Sequence, residues 1–188
     1  MNVKRLFDII ASLLLIILLA IPALFICILI KLDSPGPAIF YSKRFGKNKV
    51  IFLMPKFRTM NINTPQVATN LLENSEKYIT KFGGLLRKTS ADEIPQIWSV
   101  FKGEMSFVGP RPALFNQYEL IKLRDVYKIN SLTPGLTGWA QINGRDELSI
   151  DKKVESENFY KKNQSLFLDL KILFLTFLKV LKMNNIKH

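Results

Sequence analysis

The stretch K-T-S-A-D-E-I-P-Q-I-W-S-V-F-K-G-E-M-S-F-V-G-P-R-P, residues 88–112, is the part of the sequence on which the rest is organised. It places two adjacent carboxylates, Asp92 and Glu93, at the start of a predicted helix that stops near Gly103. One helix later comes a rigid Gly-Pro-Arg-Pro loop, residues 109–112. Adjacent carboxylates beside an arginine-bearing loop are suited to phosphate chemistry, because arginine binds phosphate oxygens through charge-assisted hydrogen bonds.

The two acids also have a purely structural interpretation. Ser90-x-x-Glu93 matches a capping box, in which the acids only stabilise a helix start. Pro95 fits best in the first helical turn, which moves the predicted start towards Asp92. An aspartate at that start would lie where backbone N–H groups collect anions, and an ionised carboxylate can attack phosphorus. From the residues alone, both interpretations stay open.

The composition limits the chemistry that this chain can perform. With 188 residues it has the length of one domain, and 27 basic against 15 acidic residues, a net charge of +12, predict an anionic partner. Cys27 is the only cysteine and His188 the only histidine. Catalytic triads with an internal histidine and ordinary zinc sites are therefore excluded. Any acid–base or nucleophilic chemistry must therefore use carboxylates, lysine, tyrosine or serine, for which a hard cation can provide additional charge.

Residues 9–30 form an almost wholly apolar segment, long enough to cross a bilayer. Pro22 near its middle predicts a kink. Both flanks are basic, with Lys4 and Arg5 before the segment and Lys31, Lys43, Arg44, Lys47 and Lys49 after it. Under the positive-inside rule, this pattern favours a hairpin that enters and leaves by the cytoplasmic face. A single-span anchor is the alternative, whereas a cleaved signal peptide is disfavoured by the lack of a small-residue cleavage site.

The segment after the apolar run is basic and predicted to form strands. Two short strands, residues 38–42 and 50–54, flank the turn 46–49, and no Asp or Glu occurs from Ser34 to Leu72. Contact with anionic lipid headgroups is one interpretation, and the adjoining membrane segment disfavours nucleic acid. The run 56–60, Lys-Phe-Arg-Thr-Met, is equally suited to face an active site.

The C-terminal half is predicted to be mainly helical. Helical patterns cover residues 113–129 and 151–163, and the second pattern is that of an exposed, charged helix. Residues 165–183 are apolar around most of a helix, with a polar sector of Asp169, Thr176, Lys179 and Lys182. This pattern favours a helix lying in a membrane interface, and a buried C-terminal helix is the alternative.

Taken together, these motifs resemble the bacterial sugar transferase family, the small monotopic phosphoglycosyl transferases. The matching residues are Lys4-Arg5-x-x-Asp8, the apolar segment with Pro22, Ser34-Pro35-Gly36-Pro37, Lys56-Phe57-Arg58-Thr59-Met60, Ser90-x-Asp92-Glu93-x-Pro95-Gln96, Lys102-Gly103-x-Met105-Ser106-x-Val108-Gly109-Pro110-Arg111-Pro112, Pro134-Gly135-Leu136-Thr137-Gly138 and Gln141-x-Asn143-Gly144-Arg145. The resemblance covers nearly the whole chain, and the ordered set is far more specific than any one motif. Some members have serine before the proline of the membrane segment, where this chain has Ile21.

The resemblance implies an α+β, mostly helical fold in two parts. Residues 1–32 would form a re-entrant membrane helix. Residues 33–188 would form a cytoplasmic catalytic domain with a small β-hairpin, a catalytic helix and surrounding interfacial amphipathic helices. The implied location is the cytoplasmic face of a bacterial inner membrane, with membrane lipid and no nucleic acid as partner. The start at Met1 leaves no room for the N-terminal transmembrane helices of larger relatives, so we expect the minimal form.

The resemblance also implies a reaction. A sugar 1-phosphate would pass from a UDP-sugar to undecaprenyl phosphate, releasing UMP, through a covalent phosphosugar on Asp92 in a ping-pong mechanism. Glu93 would be the partner of Asp92, both would bind Mg²⁺, and downstream glycosyltransferases are possible further partners. The residues implied to bind substrate or phosphate are Lys56, Arg58, Arg87, Gly109, Pro110, Arg111, Pro112, Gln141 and Arg145. The chain most resembles the small enzymes that begin N-linked glycan synthesis with a diacetylbacillosamine phosphate, and a non-catalytic, membrane-anchored basic module is the alternative.

Overall fold

A computed structural model describes residues 3–65, 75–144 and 148–182. The helices are α1 (Val3–Asp33), α2 (Lys81–Lys88), α3 (Gln96–Lys102), α4 (Tyr118–Val126), α5 (Trp139–Ile142), α6 (Ile150–Lys162) and α7 (Leu166–Lys182). The strands are β1 (Ile39–Phe45), β2 (Ile51–Phe57), β3 (Ser106–Val108) and β4 (Gly135–Thr137). The predicted α+β, mostly helical fold is confirmed.

The predicted hairpin is also confirmed, and it is longer than the sequence indicated. Strands β1 and β2 pair antiparallel, from Ile39 opposite Phe57 to Phe45 opposite Ile51. The inward-facing Phe52 and Met54 join the main hydrophobic core, which α3, β3, α6 and α7 also line. The hairpin therefore carries the end of β2 across the core towards the stretch with the two acids.

A second, parallel pair of strands is not predicted by the sequence. Strand β3 lies beside β4, with Ser106 opposite Gly135 and Val108 opposite Thr137, and α4 lies between the two strands in sequence. Each strand has three residues, which is too short for a period-2 pattern to be recognised. This pair fixes the base of the Gly-Pro-Arg-Pro loop, because the loop begins directly after β3.

Helix α1 is the long apolar segment. It has 31 residues, so its length is about 46 Å. By length and composition it is apolar enough to cross a membrane, and only Asp8, Ser12 and Ile30 are buried. Pro22 lies inside the helix without interrupting it, although its missing N–H leaves the carbonyl one turn earlier without its usual donor. The backbone stays helical through Pro22, and the re-entrant bend that the resemblance implies stays a prediction.

The N-terminal end of α1 is fastened to the rest of the chain by the Lys-Arg-x-x-Asp motif. Lys4 donates to the carbonyl of Val108 at 3.0 Å, and Asp8 accepts the N–H of Phe107 at 3.2 Å. Arg5 donates to two carbonyls in the last turn of α3, each at 2.6 Å. The sequence indicates Lys4 and Arg5 as a basic flank and all three residues as a motif of the resemblance. In the structure they join α1 to β3 and to the end of α3.

The C-terminal end of α1 is held by the same folded unit. Ile30 packs into a cluster with Phe57 and Leu86, and Asp33 accepts the N–H of Phe82 at 3.1 Å. A hydrocarbon core about 30 Å thick cannot separate two ends that bind one domain. We therefore expect the same-face topology and not the single span, as a prediction that labelling can test.

The topology predicts the labelling of cysteines placed at the two ends of α1. In a Cys27→Ser background, Val3→Cys and Leu32→Cys introduce thiols at positions that are both exposed. We expect a membrane-impermeant maleimide to label both variants from the same side of sealed vesicles, and the background protein to remain unlabelled. Labelling of the two positions from opposite sides would refute the same-face topology.

Helix α7 turns Asp169 and Thr176 towards the protein, whereas Lys171 and Lys179 are exposed. Asp169 is buried, and the Thr176 hydroxyl lies 2.8 Å from the hydroxyl of Thr137 on β4. Phe167 and Phe174 are exposed on the outside. An apolar outer face on a helix fixed to the domain is the arrangement expected at a membrane interface.

Helix α6 differs from the sequence-based prediction. The sequence predicts an exposed, charged helix, but Val154, Glu157 and Tyr160 are buried. The spacing of three residues places them on one face, and this face packs towards α4 and β3. The prediction of full exposure is therefore wrong for this face.

Candidate active site

The two acids lie in a short 3-10 turn, Ala91–Glu93, and not at the start of α3. Ser90 has a left-handed backbone, with φ of 56°, and its side chain makes no capping hydrogen bond. The capping box is therefore not formed. Helix α3 begins later, with Pro95 as its N-cap residue. The interpretation that places Asp92 at the start of α3, where the helix dipole would act on it, therefore loses its basis.

Two cationic side chains bind the acids. Lys56, near the end of β2, places its ammonium 3.3 Å from Oδ2 of Asp92 and 2.9 Å from Oε1 of Glu93. Arg111 of the Gly-Pro-Arg-Pro loop donates from Nη2 to the same Oε1 at 2.8 Å. Four residues proposed from distant parts of the sequence thus meet in one ion-pair cluster.

One oxygen of this cluster has no partner among the residues that the structure describes. Oδ1 of Asp92 is buried and accepts no hydrogen bond, while the whole residue is 6% exposed. Burying a carboxylate oxygen without a partner is costly, and such an oxygen calls for a specific explanation. A ligand atom, a metal ion or a reacting phosphorus would supply the missing interaction.

The electrostatics keep Glu93 ionised. Burial alone would raise the pKa of Glu93, but the charges of Arg111 and Lys56 and their hydrogen bonds outweigh it, and the pKa lies well below its usual value. Burial lowers the pKa of Arg87, and the nearby charge of Asp92 opposes that shift. Arg87 donates from Nε to the hydroxyl of Thr59 at 2.8 Å. Its guanidinium is thus within electrostatic reach of Asp92.

The donor set of the dyad fits Mg²⁺. This ion is usually bound through one or two carboxylates together with substrate phosphates and water. Asp92 and Glu93 provide two adjacent carboxylates, one with the unpartnered oxygen. Within the described ranges, no group of three or more His, Cys, Asp or Glu side chains forms an all-protein site. A magnesium ion held here would therefore depend on the phosphates of a substrate.

The loop that carries Arg111 is fixed by the parallel strand pair. The N–H of Gly109 donates to the carbonyl of Thr137 at 2.9 Å, and the N–H of Gly135 donates to the carbonyl of Pro110 at 2.9 Å. Pro110 and Pro112 are buried, whereas Arg111 is partly exposed. The loop thus presents Arg111 towards Glu93 from a rigid base.

Comparison with known proteins identifies the family of this chain. The model of the family described as "bacterial sugar transferase" matches residues 1–183.

The chain belongs to the bacterial sugar transferase family.

The relatives of this chain differ in length. An uncharacterised sugar transferase of Bacillus subtilis (strain 168), EpsL, is 42% identical over all of this chain and 92% of its own length. The UDP-glucose:undecaprenyl-phosphate glucose-1-phosphate transferase of Escherichia coli (strain K12) is 39% identical over 94% of this chain and 39% of its own length. The UDP-N-acetylgalactosamine-undecaprenyl-phosphate N-acetylgalactosaminephosphotransferase of Aeromonas hydrophila is 36% identical over 95% of this chain. The chain spans 44% of that protein.

Of three further residues expected to bind substrate, two form no hydrogen bond or ion pair with the cluster in the described part of the chain, and the third lies outside it. Arg58 donates to the carbonyls of Ser34 and Pro35 after α1, so its observed contacts do not support direct phosphate binding. Both amide atoms of Gln141 are buried and have no partner in the described part of the chain. Arg145 lies outside the described residues.

Sequence reasoning misses two arginines behind the loop. Arg44 of β1 donates to the carbonyl of Pro112 at 3.0 Å, and Arg124 of α4 donates to the carbonyl of Arg111 at 2.9 Å. In the sequence, Arg44 is only part of a basic flank, and Arg124 belongs to no recognised motif. Arg124 also donates to the carboxylate of Glu157 on α6, at 2.7 Å. The signal available for Glu157 is the spacing of Val154, Glu157 and Tyr160, which puts the acid on the buried face of α6.

Proposed function

We propose that the chain is a phosphoglycosyl transferase that moves a sugar 1-phosphate from a UDP-sugar to undecaprenyl phosphate and releases UMP. The observation that carries the proposal is the buried Asp92, which lies in the cluster with Lys56, Glu93 and Arg111. Its Oδ1 has no hydrogen-bond partner among the described residues. The names of the relatives support the substrate classes, since two of them act with UDP-sugars and undecaprenyl phosphate.

The reaction is proposed to run in two displacements at one phosphorus. A carboxylate oxygen of Asp92 forms a bond to the β-phosphorus of the UDP-sugar, and the bond to the bridging oxygen breaks, so that UMP leaves with the electron pair. The sugar phosphate is then bound to Asp92 as an acyl phosphate. A phosphate oxygen of the lipid attacks the same phosphorus, and the Asp92 carboxylate is released unchanged.

The cations around Asp92 would make the first step feasible. A carboxylate approaching a diphosphate meets charge repulsion, which Lys56, Arg87 and Arg111 reduce by binding phosphate oxygens. Glu93 keeps Lys56 and Arg111 in place through its two ion pairs. Mg²⁺ bound by Asp92 and Glu93 would supply further positive charge for the diphosphate.

The apolar surfaces suit a lipid-borne acceptor. Helix α1 and the outer face of α7 expose large apolar side chains, which favours contact with lipid on both elements. We place residues 1–32 in the membrane as a re-entrant segment and residues 33–188 at the cytoplasmic face of the inner membrane. The lipid-linked product would be the substrate of downstream glycosyltransferases.

The proposal is tested by incubating the purified protein, in nanodiscs, with UDP-sugars and undecaprenyl phosphate. We expect UMP release with at least one of UDP-glucose, UDP-galactose, a UDP-N-acetylhexosamine or UDP-diacetylbacillosamine. EDTA should abolish the release, and added Mg²⁺ should restore it. Sugar-labelled donor without acceptor should leave label on the protein. Absence of UMP with every donor would refute the transferase. Absence of a burst of UMP, up to one per enzyme molecule, when the lipid is left out would refute the two-step mechanism.

A further inference from the structure

The Gly-Pro-Arg-Pro loop has few backbone hydrogen-bond donors of its own. Two of its four residues are prolines, so only Gly109 and Arg111 offer a backbone N–H. The N–H of Gly109 is used by Thr137 of β4. The carbonyls of the loop are bound by donors from elsewhere in the chain.

The carbonyl of Arg111 is bound by a buried ion pair. Arg124 of α4 donates from Nη2 to that carbonyl at 2.9 Å. The same guanidinium donates to both carboxylate oxygens of Glu157 on α6, at 2.7 and 2.5 Å. Arg124 is 4% exposed and Glu157 is 2% exposed, so the contact is shielded from water.

The fork of the guanidinium explains why this pair can orient the loop. The carboxylate of Glu157 fixes the plane of the Arg124 guanidinium by a two-point contact, and a fixed plane leaves an N–H aimed at the Arg111 carbonyl. A lysine at this position would offer a compact ammonium without that geometry. Buried ion pairs add little net stability, because desolvation offsets their attraction. We therefore look for the effect of the Arg124–Glu157 pair in the orientation of the loop and not in the stability of the fold.

We infer that Arg124, held by Glu157, is a positioning residue for the reaction proposed above. It sets the backbone at Arg111, and the side chain of Arg111 in turn binds Glu93 at 2.8 Å. The buried contact between α4 and α6 is thus connected through one carbonyl to the ion-pair cluster around Asp92. This inference rests on the proposed function only for its activity readout.

The test removes the pair while keeping the fold. The double variant Arg124→Met with Glu157→Leu replaces two charges by apolar groups of similar volume, a change that buried ion pairs often tolerate without loss of stability. Val154→Ala is the control, because it weakens the packing of α6 next to α4 without touching the loop. Both variants are compared with wild type in unfolding temperature and in steady-state UMP release.

We expect the double variant to lose activity through kcat. A displaced Arg111 should lower kcat by about 10- to 100-fold, since small misplacements near the reacting atoms have effects of this size. The KM for undecaprenyl phosphate should change by less than about twofold. Val154→Ala should lower the unfolding temperature and leave kcat within about twofold of wild type. Equal kcat in the double variant and wild type, or a loss in each variant that follows its unfolding temperature, would overturn the inference.

A second measurement does not depend on activity. Hydrogen exchange at the amide of Gly135, which donates to the carbonyl of Pro110 at 2.9 Å, reports local opening of the loop. We expect exchange at least about tenfold faster in the double variant than in Val154→Ala, and equal rates in the two would overturn the inference. If the double variant does not fold, Arg124→Lys replaces it in both measurements with the same expected directions. A wild-type protein that releases no UMP would refute the proposed reaction, and the exchange rates would still decide the role of Arg124.

Discussion

Replacing Asp92 with asparagine is expected to lower UMP release by a factor on the order of 10³ or more, and to abolish labelling of the protein by a sugar-labelled donor. The substitution keeps the size and shape of the side chain, but an amide is a poor nucleophile and carries no charge. It also leaves Lys56 and Arg111 in place, since both bind Glu93. Loss of activity would therefore report on the missing carboxylate and not on a collapsed cluster.

A matched control separates this effect from a general loss of function. Asp125 on α4 is exposed and forms an ion pair with Lys49 at 3.0 Å, so Asp125→Asn removes the same charge at the surface. We expect UMP release by Asp125→Asn to stay within about twofold of wild type, because exposed ion pairs contribute little. Turnover of Asp92→Asn at the wild-type rate would refute Asp92 as nucleophile and favour the non-catalytic membrane module.

The features that the sequence predicts correctly have local signals. The apolar run of α1, the alternating strands around the turn 46–49 and the stop of α3 at Gly103, with φ of 87°, all depend on neighbouring residues. The meeting of Arg111 with the Asp92–Glu93 pair, through Glu93, is expected from a resemblance that spans nearly the whole chain. Physical reasoning from the residues alone leaves it open, because an acid at a helix start has two interpretations.

The features that the sequence does not predict depend on contacts between distant segments. Ser90-x-x-Glu93 matches a capping box. In the structure Ser90 has a left-handed backbone and the carboxylate of Glu93 binds Lys56, and the chain forms a 3-10 turn. The spacing of Glu157 with Val154 and Tyr160 indicates its face on α6 but not its partner, because Arg124 lies 33 residues away. Such pairs become visible only when the helices are packed, since helical periodicity gives the direction of a side chain and not its partner.

Gly135→Ala is expected to lower the free energy of unfolding by more than about 3 kcal/mol, a large loss for a single methyl group. A Cβ at Gly135 would lie 2.1 Å from the backbone nitrogen of Gly109 and 2.4 Å from the carbonyl oxygen of Thr137. Both atoms belong to the backbone, so no side-chain rotation can relieve the overlap. Strands β3 and β4 would have to separate, which breaks the hydrogen bonds from Gly109 to Thr137 and from Gly135 to Pro110.

Gly84→Ala is the control for the same chemical change at an open position. Its Cβ would meet only a methyl carbon of Ile79 at 3.8 Å, an ordinary contact, and Gly84 lies inside α2. Alanine is favoured over glycine in a helix by about 0.5–1 kcal/mol, so this variant should be as stable as wild type or more so. Thermal unfolding of both variants in the same detergent measures the two changes in stability. UMP release should fall in Gly135→Ala alone, because the separated strands no longer support Arg111. If Gly135→Ala unfolds at the wild-type temperature, the close approach of β3 and β4 is wrong, and the rigid base of the loop with it.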